Sequence, residues 1–461
     1  MKTRPWNLLC YALLGAALHA QDITGDWHGT LKSSGPEFRI VIHISKGDNG
    51  ALKGTFDSVD QGAKGVPLTS VTLDGSNFKF TIDVAKVTYE GKVNADTITG
   101  TWSQAQSLPL EFKRGPFEAS SPTRDAQQRA HQRPQNPVKP YPYKEEEVSY
   151  DNTVQDVHLA ATITIPTGAG PFPAVLLITG SGPQDRDETL PFQHKPFLVL
   201  ADYLTRHGIV VLRADDRGVG KSSGNFAAAT TADFATDTEA GIAYLKKRPE
   251  VNVHKLGLIG HSEGGVIAPM VAARNADVSF IVLMAGPGVR GDEIIPAQLT
   301  AIMEAGGAGK QEAEKAAADE RELLTLAERE KDEAVIQKKI QELSNGRTSE
   351  AQAEAQAKQI RSPWYQYFLQ YDPATALEKV KCPVLAINGE KDRQVPPNQN
   401  LPAIRKALES GGNTHFEVDE LPGLNHLFQT AKTGSPMEYA EIEETVSPLA
   451  LEKISGWILK Q

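Results

Sequence analysis

Cysteine is almost missing from this chain of 461 residues: only Cys10 and Cys382 occur. The spacing offers no internal disulfide framework. Cys382 lies in Val380-Lys381-Cys382-Pro383-Val384-Leu385-Ala386-Ile387, an apolar strand-like run, so its thiol is expected to be buried and inert. Basic charge is also in deficit. Lys and Arg number 48 against 58 Asp and Glu, a formal net charge of −10. That disfavours nucleic acid as a partner, because phosphate binding needs a basic face. Beyond the first twenty residues no uninterrupted apolar run is long enough to span a bilayer, so no stable membrane anchor is expected. No cluster of His, Cys and carboxylates has metal-ligand spacing, and the Gly-rich loop Thr179 to Arg186 lacks the lysine-containing pattern of a phosphate-binding loop. Neither a metal nor a cofactor is expected.

What is present is ordered in blocks. Lys2 and Arg4 precede a short apolar run, Leu8 to Leu18, and Ala20 ends it before Gln21-Asp22. Residues 1–20 read as a signal peptide cleaved after Ala20, which predicts an exported protein, periplasmic or extracellular. Residues 21–115 form short alternating segments broken by Gly, Asp and Asn, such as Phe38 to Ile44, Phe78 to Ile82 and Thr97 to Trp102. The stretch Leu73-Asp74-Gly75-Ser76-Asn77-Phe78 predicts a hairpin turn. Roughly eight strands at this spacing suggest an up-and-down barrel or a curved sheet. Gly25-Asp26-Trp27 resembles the Gly-x-Trp of lipocalin-like barrels, with Trp27 expected as a structural plug. Residues 116–145, with six prolines among Gln, Arg and Ser, read as a linker, with Tyr141 and Tyr143 placed to pack onto the following domain.

From 146 to 461 the pattern changes. Apolar strand runs (Ala174 to Ile178, Ile209 to Arg213, Lys255 to Ile259, Phe280 to Met284, a run from Pro383, and Thr414 to Leu421) alternate with helical stretches. This predicts an α/β domain with a doubly wound, mostly parallel sheet and helices on both faces, opened by an antiparallel pair around Glu147 to Tyr150 and Leu159 to Ile165. Residues 291–380, rich in Ala, Glu, Lys and Gln, interrupt the sheet pattern as several helices. Their place between two strands makes them a candidate lid.

One junction carries chemistry. The strand Leu256 to Ile259 runs into Gly260-His261-Ser262-Glu263-Gly264-Gly265, and a helix follows. A serine held on so tight a strand-to-helix turn needs small neighbours two residues either side, which Gly260 and Gly264 supply, with His261 between. The helix start favours developing negative charge beside Ser262. A neutral serine needs a base and a carboxylate to orient that base, in the chain order Ser, acid, His. Only His415 and His426 follow Ser262. His415 lies within the last strand pattern. His426 lies just after it, in Pro422-Gly423-Leu424-Asn425-His426, where a loop at the carboxyl end of the sheet would put it. The acid is expected in Asn388-Gly389-Glu390-Lys391-Asp392, as Asp392 with Glu390 the local rival. Oxyanion donors are expected from the amide of Glu263 and from the loop Thr179-Gly180-Ser181-Gly182, through Ser181 or Gly182, since Pro183 has no amide hydrogen. Asp215-Asp216-Arg217-Gly218-Val219-Gly220-Lys221-Ser222 reads as a turn whose charges pair locally. In the lid, Trp364 and Phe368 are candidates to line an acyl pocket.

These segments, with Gly180-Ser181-Gly182-Pro183-Gln184-Asp185-Arg186-Asp187, Asp216 to Gly220, Gly389-Glu390-Lys391-Asp392 and Asn425-His426, resemble bacterial α/β-hydrolases of the carboxylesterase and serine-aminopeptidase-like group. The resemblance covers about 146–461. It implies Ser262 as nucleophile, Asp392 as acid and His426 as base. It implies hydrolysis of an ester, or alternatively a short peptide or amide, through an acyl-enzyme without a cofactor. Many relatives carry His-Gly at the oxyanion loop where this chain has Thr179-Gly180. The expected function is that of a secreted serine carboxylesterase.

Overall fold

The computed structural model describes residues 22–32, 37–47, 50–58, 63–82, 87–104, 107–115, 133–190, 193–345, 348 and 350–461. The signal-peptide reading of 1–20, Cys10 with it, and the 116–132 part of the linker lie outside the described residues. The chain divides into two compact units, Met1–Ser120 and Ser121–Gln461.

The first unit is one antiparallel sheet of nine strands: β1 (Gly25–Lys32), β2 (Glu37–Lys46), β3 (Leu52–Ser58), β4 (Ala63–Pro67), β5 (Ser70–Asp74), β6 (Asn77–Ile82), β7 (Val87–Asn94), β8 (Thr97–Ser103) and β9 (Ser107–Arg114), in the order β4-β3-β2-β1-β9-β8-β7-β6-β5. That is one strand more than the sequence suggests. β4 and β5 are each five residues long and only Leu68-Thr69 separates them. The sheet curls because β1 pairs with β9, Trp27 opposite Arg114. The expected hairpin joins β5 to β6, with Gly75 at a φ of 59° that a side chain would strain.

Alternation sends apolar side chains to the inside of the curl, and they fill it. Trp27, Phe78, Phe80, Tyr89 and Phe112 are fully buried. Tyr89 stacks on Phe80 at 5.3 Å between ring centres and meets Phe112 edge-on at 5.0 Å. Trp27 Nε1 donates to Ile23 O at 2.8 Å, and the Arg114 guanidinium sits 4.3 Å above its ring. Trp27 is therefore packing, as expected of a plug. Each ring buried this way contributes roughly 2 to 3 kcal/mol.

The second unit is an eight-stranded sheet of order β10-β11-β13-β12-β14-β15-β16-β17. β10 (Lys144–Asn152), β11 (Val157–Ile165) and β13 (Val210–Ala214) pair antiparallel in turn. β13, β12 (Phe172–Ile178), β14 (Val251–His261), β15 (Phe280–Met284), β16 (Val384–Gly389) and β17 (Phe416–Leu421) run parallel. Helices α1 (Pro196–Arg206), α2 (Thr231–Leu245), α3 (Gly264–Ala272), α10 (Pro397–Ser410) and α11 (Pro448–Ile458) bury one apolar core on each face of the sheet. The chain moves to one side of β12 to make β13 and to the other to make β14. That switch point opens a crevice at the carboxyl ends of β12 and β14. Between β15 and β16 lies the insertion: α4 (Gly291–Ala305), α5 (Lys310–Arg329), α6 (Glu333–Leu343), α7 (Glu350–Ile360), α8 (Pro363–Gln370) and α9 (Ala374–Leu377).

The linker ends earlier than the composition suggests. Arg133 Nη1 donates to Ile442 O at 2.8 Å, Gln135 Nε2 donates to Val446 O at 2.7 Å, and Tyr143 Oη donates to Asp202 at 2.8 Å. Residues 133–143 are thus fixed to the second unit by polar groups, a kind of docking that hydrophobic patterning does not register. Cys382 is partly buried, and burial pushes its thiol up to about 11.

Candidate active site

β14 ends at His261, and α3 begins at Gly264. Ser262 sits between them at φ 51°, a left-handed conformation that costs a non-glycine residue about 1 kcal/mol or more. Its amide donates to Met284 O at 2.9 Å. The glycines are steric necessities. A Cβ on Gly260 would lie 1.9 Å from Gly264 O, and one on Gly264 would lie 2.2 Å from Ile178 O.

His426 lies in the turn after β17. Asn425 Oδ1 accepts the amides of Leu427 at 3.0 Å and Gln429 at 2.9 Å, which shapes that turn. His426 Nδ1 donates to Asp392 Oδ2 at 2.8 Å. Asp392 Oδ1 accepts the amides of Gln394 and Val395, each at 2.8 Å. Nδ1 is thereby committed, and Nε2 is the ring nitrogen left for a proton from Ser262. The rival acid Glu390 is exposed and accepts from the Gly423 amide at 2.7 Å. His415 is exposed just ahead of β17.

Ser262 and His426 line one cavity of about 590 Å³. Lid helices supply Ile294, Ile295, Trp364, Tyr365 and Phe368 to its wall; loops of the sheet supply Ser181, Gln184, His194, Gln394 and Tyr439. Trp364 and Phe368 stack with ring centres 5.4 Å apart and planes 7° from parallel. Trp364 Nε1 donates to Glu263 Oε1 at 2.7 Å, which fastens the lid to the residue after Ser262. Thr231 Oγ1 donates to the same oxygen at 2.7 Å. Burial raises the Glu263 carboxyl against the pull of these two donors and of the Ser181 hydroxyl.

The profile of the X-Pro dipeptidyl-peptidase (S15) family matches residues 155–416, more than half of the chain. The chain belongs to this family. This S15-family member is a hydrolase of the α/β-hydrolase type. It is 28% identical over 325 residues to esterase EstD of Thermotoga maritima, covering 70% of this chain and 69% of that one. Solved structures similar to it include an esterase of Pyrococcus furiosus, at 16% identity, 69% and 91% coverage and a TM-score of 0.42. Another is Est1E of Butyrivibrio proteoclasticus, at 17% identity, 68% and 98% coverage and a TM-score of 0.40.

The loop after β12 carries both oxyanion candidates. The Gly180 amide donates to Glu188 Oε1 at 2.9 Å and is committed. Ser181 lines the cavity; Gly182, at φ 97°, is not among the lining residues. The charges of the Asp215 to Ser222 turn do pair, but with distant segments: Asp215 with Arg186 at 2.7 Å and Arg217 with Asp237 at 2.7 Å. Asp216 does more than the sequence suggests. It accepts from Thr179 Oγ1 at 2.8 Å and from the Gln184 amide at 2.9 Å, pinning both ends of the loop. Burial pushes Asp216 up to about 8 despite these two donors. Glu188 is the other residue that sequence reasoning misses. It is buried, and its partners Gly180 and His261 lie 8 and 73 residues away. The one available signal is the acidic run Asp185-Arg186-Asp187-Glu188 directly after the Gly-rich loop.

Proposed function

We propose that this protein is a serine carboxylesterase acting on uncharged esters through an acyl-enzyme. Ser262 attacks the ester carbonyl, His426 Nε2 takes the hydroxyl proton and returns it to the leaving alcohol, and Asp392 holds the ring and stabilises the imidazolium. The amides of Glu263 and Ser181 face the developing oxyanion at the start of α3. Water then attacks the acyl-enzyme by the same route. The observation that carries the reading is the Asp392–His426 bond at 2.8 Å on a cavity that also holds Ser262 in its strained turn. The purified protein should hydrolyse p-nitrophenyl acetate or butyrate. Turnover that survives Ser262→Ala defeats the proposal.

The family description favours a second reading, release of dipeptides bearing a free amino terminus. That chemistry wants a carboxylate free to receive an ammonium. Of the described residues lining the cavity only Glu188 and Glu263 are acidic. Glu188 Oε1 is taken by Gly180 and His261 while its buried Oε2 has no partner, and Glu263 faces Thr231, Trp364 and Ser181. No lysine or arginine is among those described lining residues, and burial pulls His194 down to about 4, so that ring is neutral. A charged group would meet a wall whose one unpartnered carboxylate oxygen, Glu188 Oε2, is buried and whose His261 is already paired with Glu188, so its desolvation would be poorly repaid. The esterase name of the Thermotoga relative points the same way. X-Pro arylamides turned over with a higher kcat/KM than simple esters would reverse the choice. Export of the chain rests on Lys2, Arg4 and the apolar run to Ala20. Recovery of the chain only in the cytoplasmic fraction, with residues 1–20 retained, speaks against it.

A further inference from the structure

The proposed triad leaves one buried ion pair beside it unused. His261 Nδ1 lies 2.8 Å from Glu188 Oε1, and its Nε2 lies 3.1 Å from the carbonyl oxygen of His426. Both partners are acceptors, so both ring nitrogens must carry hydrogen and the ring is an imidazolium. Burial alone would strip that proton; Glu188 outweighs it and His261 is raised. The same Glu188 oxygen accepts the Gly180 amide at 2.9 Å. Glu188 itself is held at φ 52°, a conformation that persists only when its surroundings over-determine it. The His261 and His426 rings lie 4.9 Å apart, and Asp392 is the other charge facing His261.

We propose that Glu188 and His261 form a positioning pair that joins the oxyanion loop to the main chain of the base His426. The chain of contacts runs Gly180 N–H to Glu188, Glu188 to His261, and His261 to His426 O. One end fixes where the Ser181 amide points. The other fixes the backbone from which the base projects. Both side chains border the cavity; the part assigned to them is positional, through the Gly180 amide and the main chain of His426. The pair's effect is on the relative placement of oxyanion donor and base, and displacements of an ångström or less at such groups lower kcat steeply. This inference rests on the esterase reading above.

The test uses Glu188→Gln, His261→Gln and the double variant in the full chain. In Glu188→Gln the new side-chain carbonyl can still accept from the Gly180 amide. A neutral amide cannot keep His261 doubly protonated; with one ring hydrogen left, His261 cannot donate to both residue 188 and His426 O, so the chain of contacts is cut at one of its links. Three quantities are measured: kcat and KM on p-nitrophenyl butyrate, active-site concentration by fluorophosphonate titration, and Tm. Glu188→Gln should lower kcat per titrated site about tenfold, on the scale of a small misplacement of catalytic groups, with KM within about twofold. The double variant should be no worse than the poorer single one, because both break one chain of contacts. If kcat per titrated site is unchanged and only Tm or the titratable fraction falls, the pair is merely structural and the proposal fails. Multiplicative losses in the double variant also overturn it. Turnover surviving Ser262→Ala would defeat the esterase reading itself. Loss in Ser262→Ala with normal Glu188→Gln kinetics would defeat this inference alone.

Discussion

The two units handle buried polar groups in opposite ways. The barrel interior is built of aromatic and aliphatic side chains, and its buried Tyr89 hydroxyl lies 3.0 Å from two main-chain carbonyls, Ile98 O and Leu110 O. The α/β unit concentrates Glu188, His194, His261, Glu263, Asp392 and His426 beneath one cavity. In the first, space is filled and polarity is minimised. In the second, space is kept and polarity is stacked around it, with each carboxylate tied to a ring or an amide. A filled core tells of stability. A cavity ringed by buried polar groups that bond to one another tells of a site arranged before its substrate arrives.

Mutations should separate the two. Ser262→Ala should lower kcat by about 10⁶-fold and leave Tm near that of the parent, measured by steady-state kinetics and calorimetry. Asp392→Asn should cost about 10⁴-fold in kcat, because the wrong tautomer of His426 would face Ser262. In the barrel, Phe80→Ala should destabilise that unit by about 3 to 5 kcal/mol in denaturant titration. Its kcat/KM should not change, since every described residue lining the cavity belongs to the second unit. A matching fall in kcat/KM would break the division. Trp364→Phe keeps the ring and removes the N–H that Glu263 accepts. It should cost about 1 to 2 kcal/mol in kcat/KM, as expected when a buried acceptor loses a donor.

A further effect concerns pH. An unfolded Asp216 ionises near 4, whereas burial puts the folded carboxyl at about 8. Between those values the native state holds the extra proton, so this group's contribution to stability falls as pH rises from about 4 through 8. Asp216→Asn should remove that slope from urea-unfolding free energies measured across the window. An unchanged slope would place the charge elsewhere.

The part of this site that could be read from sequence is the part governed by local grammar. Ser262 follows from a strand, a Gly-bracketed turn and a helix. His426 follows from there being two later histidines, one of them in a strand pattern. Asp392 follows from its place after β16. The supports were not legible. Asp216 acts on Thr179 and Gln184 across more than thirty residues, and Glu188 reaches His261 across 73. No periodicity encodes such contacts. That Ser181 and not Gly182 borders the cavity is likewise a matter of loop shape, which a sequence does not show. In the barrel, alternation revealed the strands, while the short β4 and β5 were too closely joined to be counted apart.

The pairing of β1 with β9 also sets a timetable. Trp27 enters the chain early, yet Arg114, which covers its ring, and Phe112, opposite Gly29, come more than eighty residues later. During synthesis the first strand emerges with one edge unmatched and its largest side chain uncovered until the ninth has left the ribosome. Closure is then a long-range event, slow compared with forming the hairpins between. The rate at which Trp27 fluorescence becomes native should therefore report the last step of barrel folding, although the residue is among the first to be made.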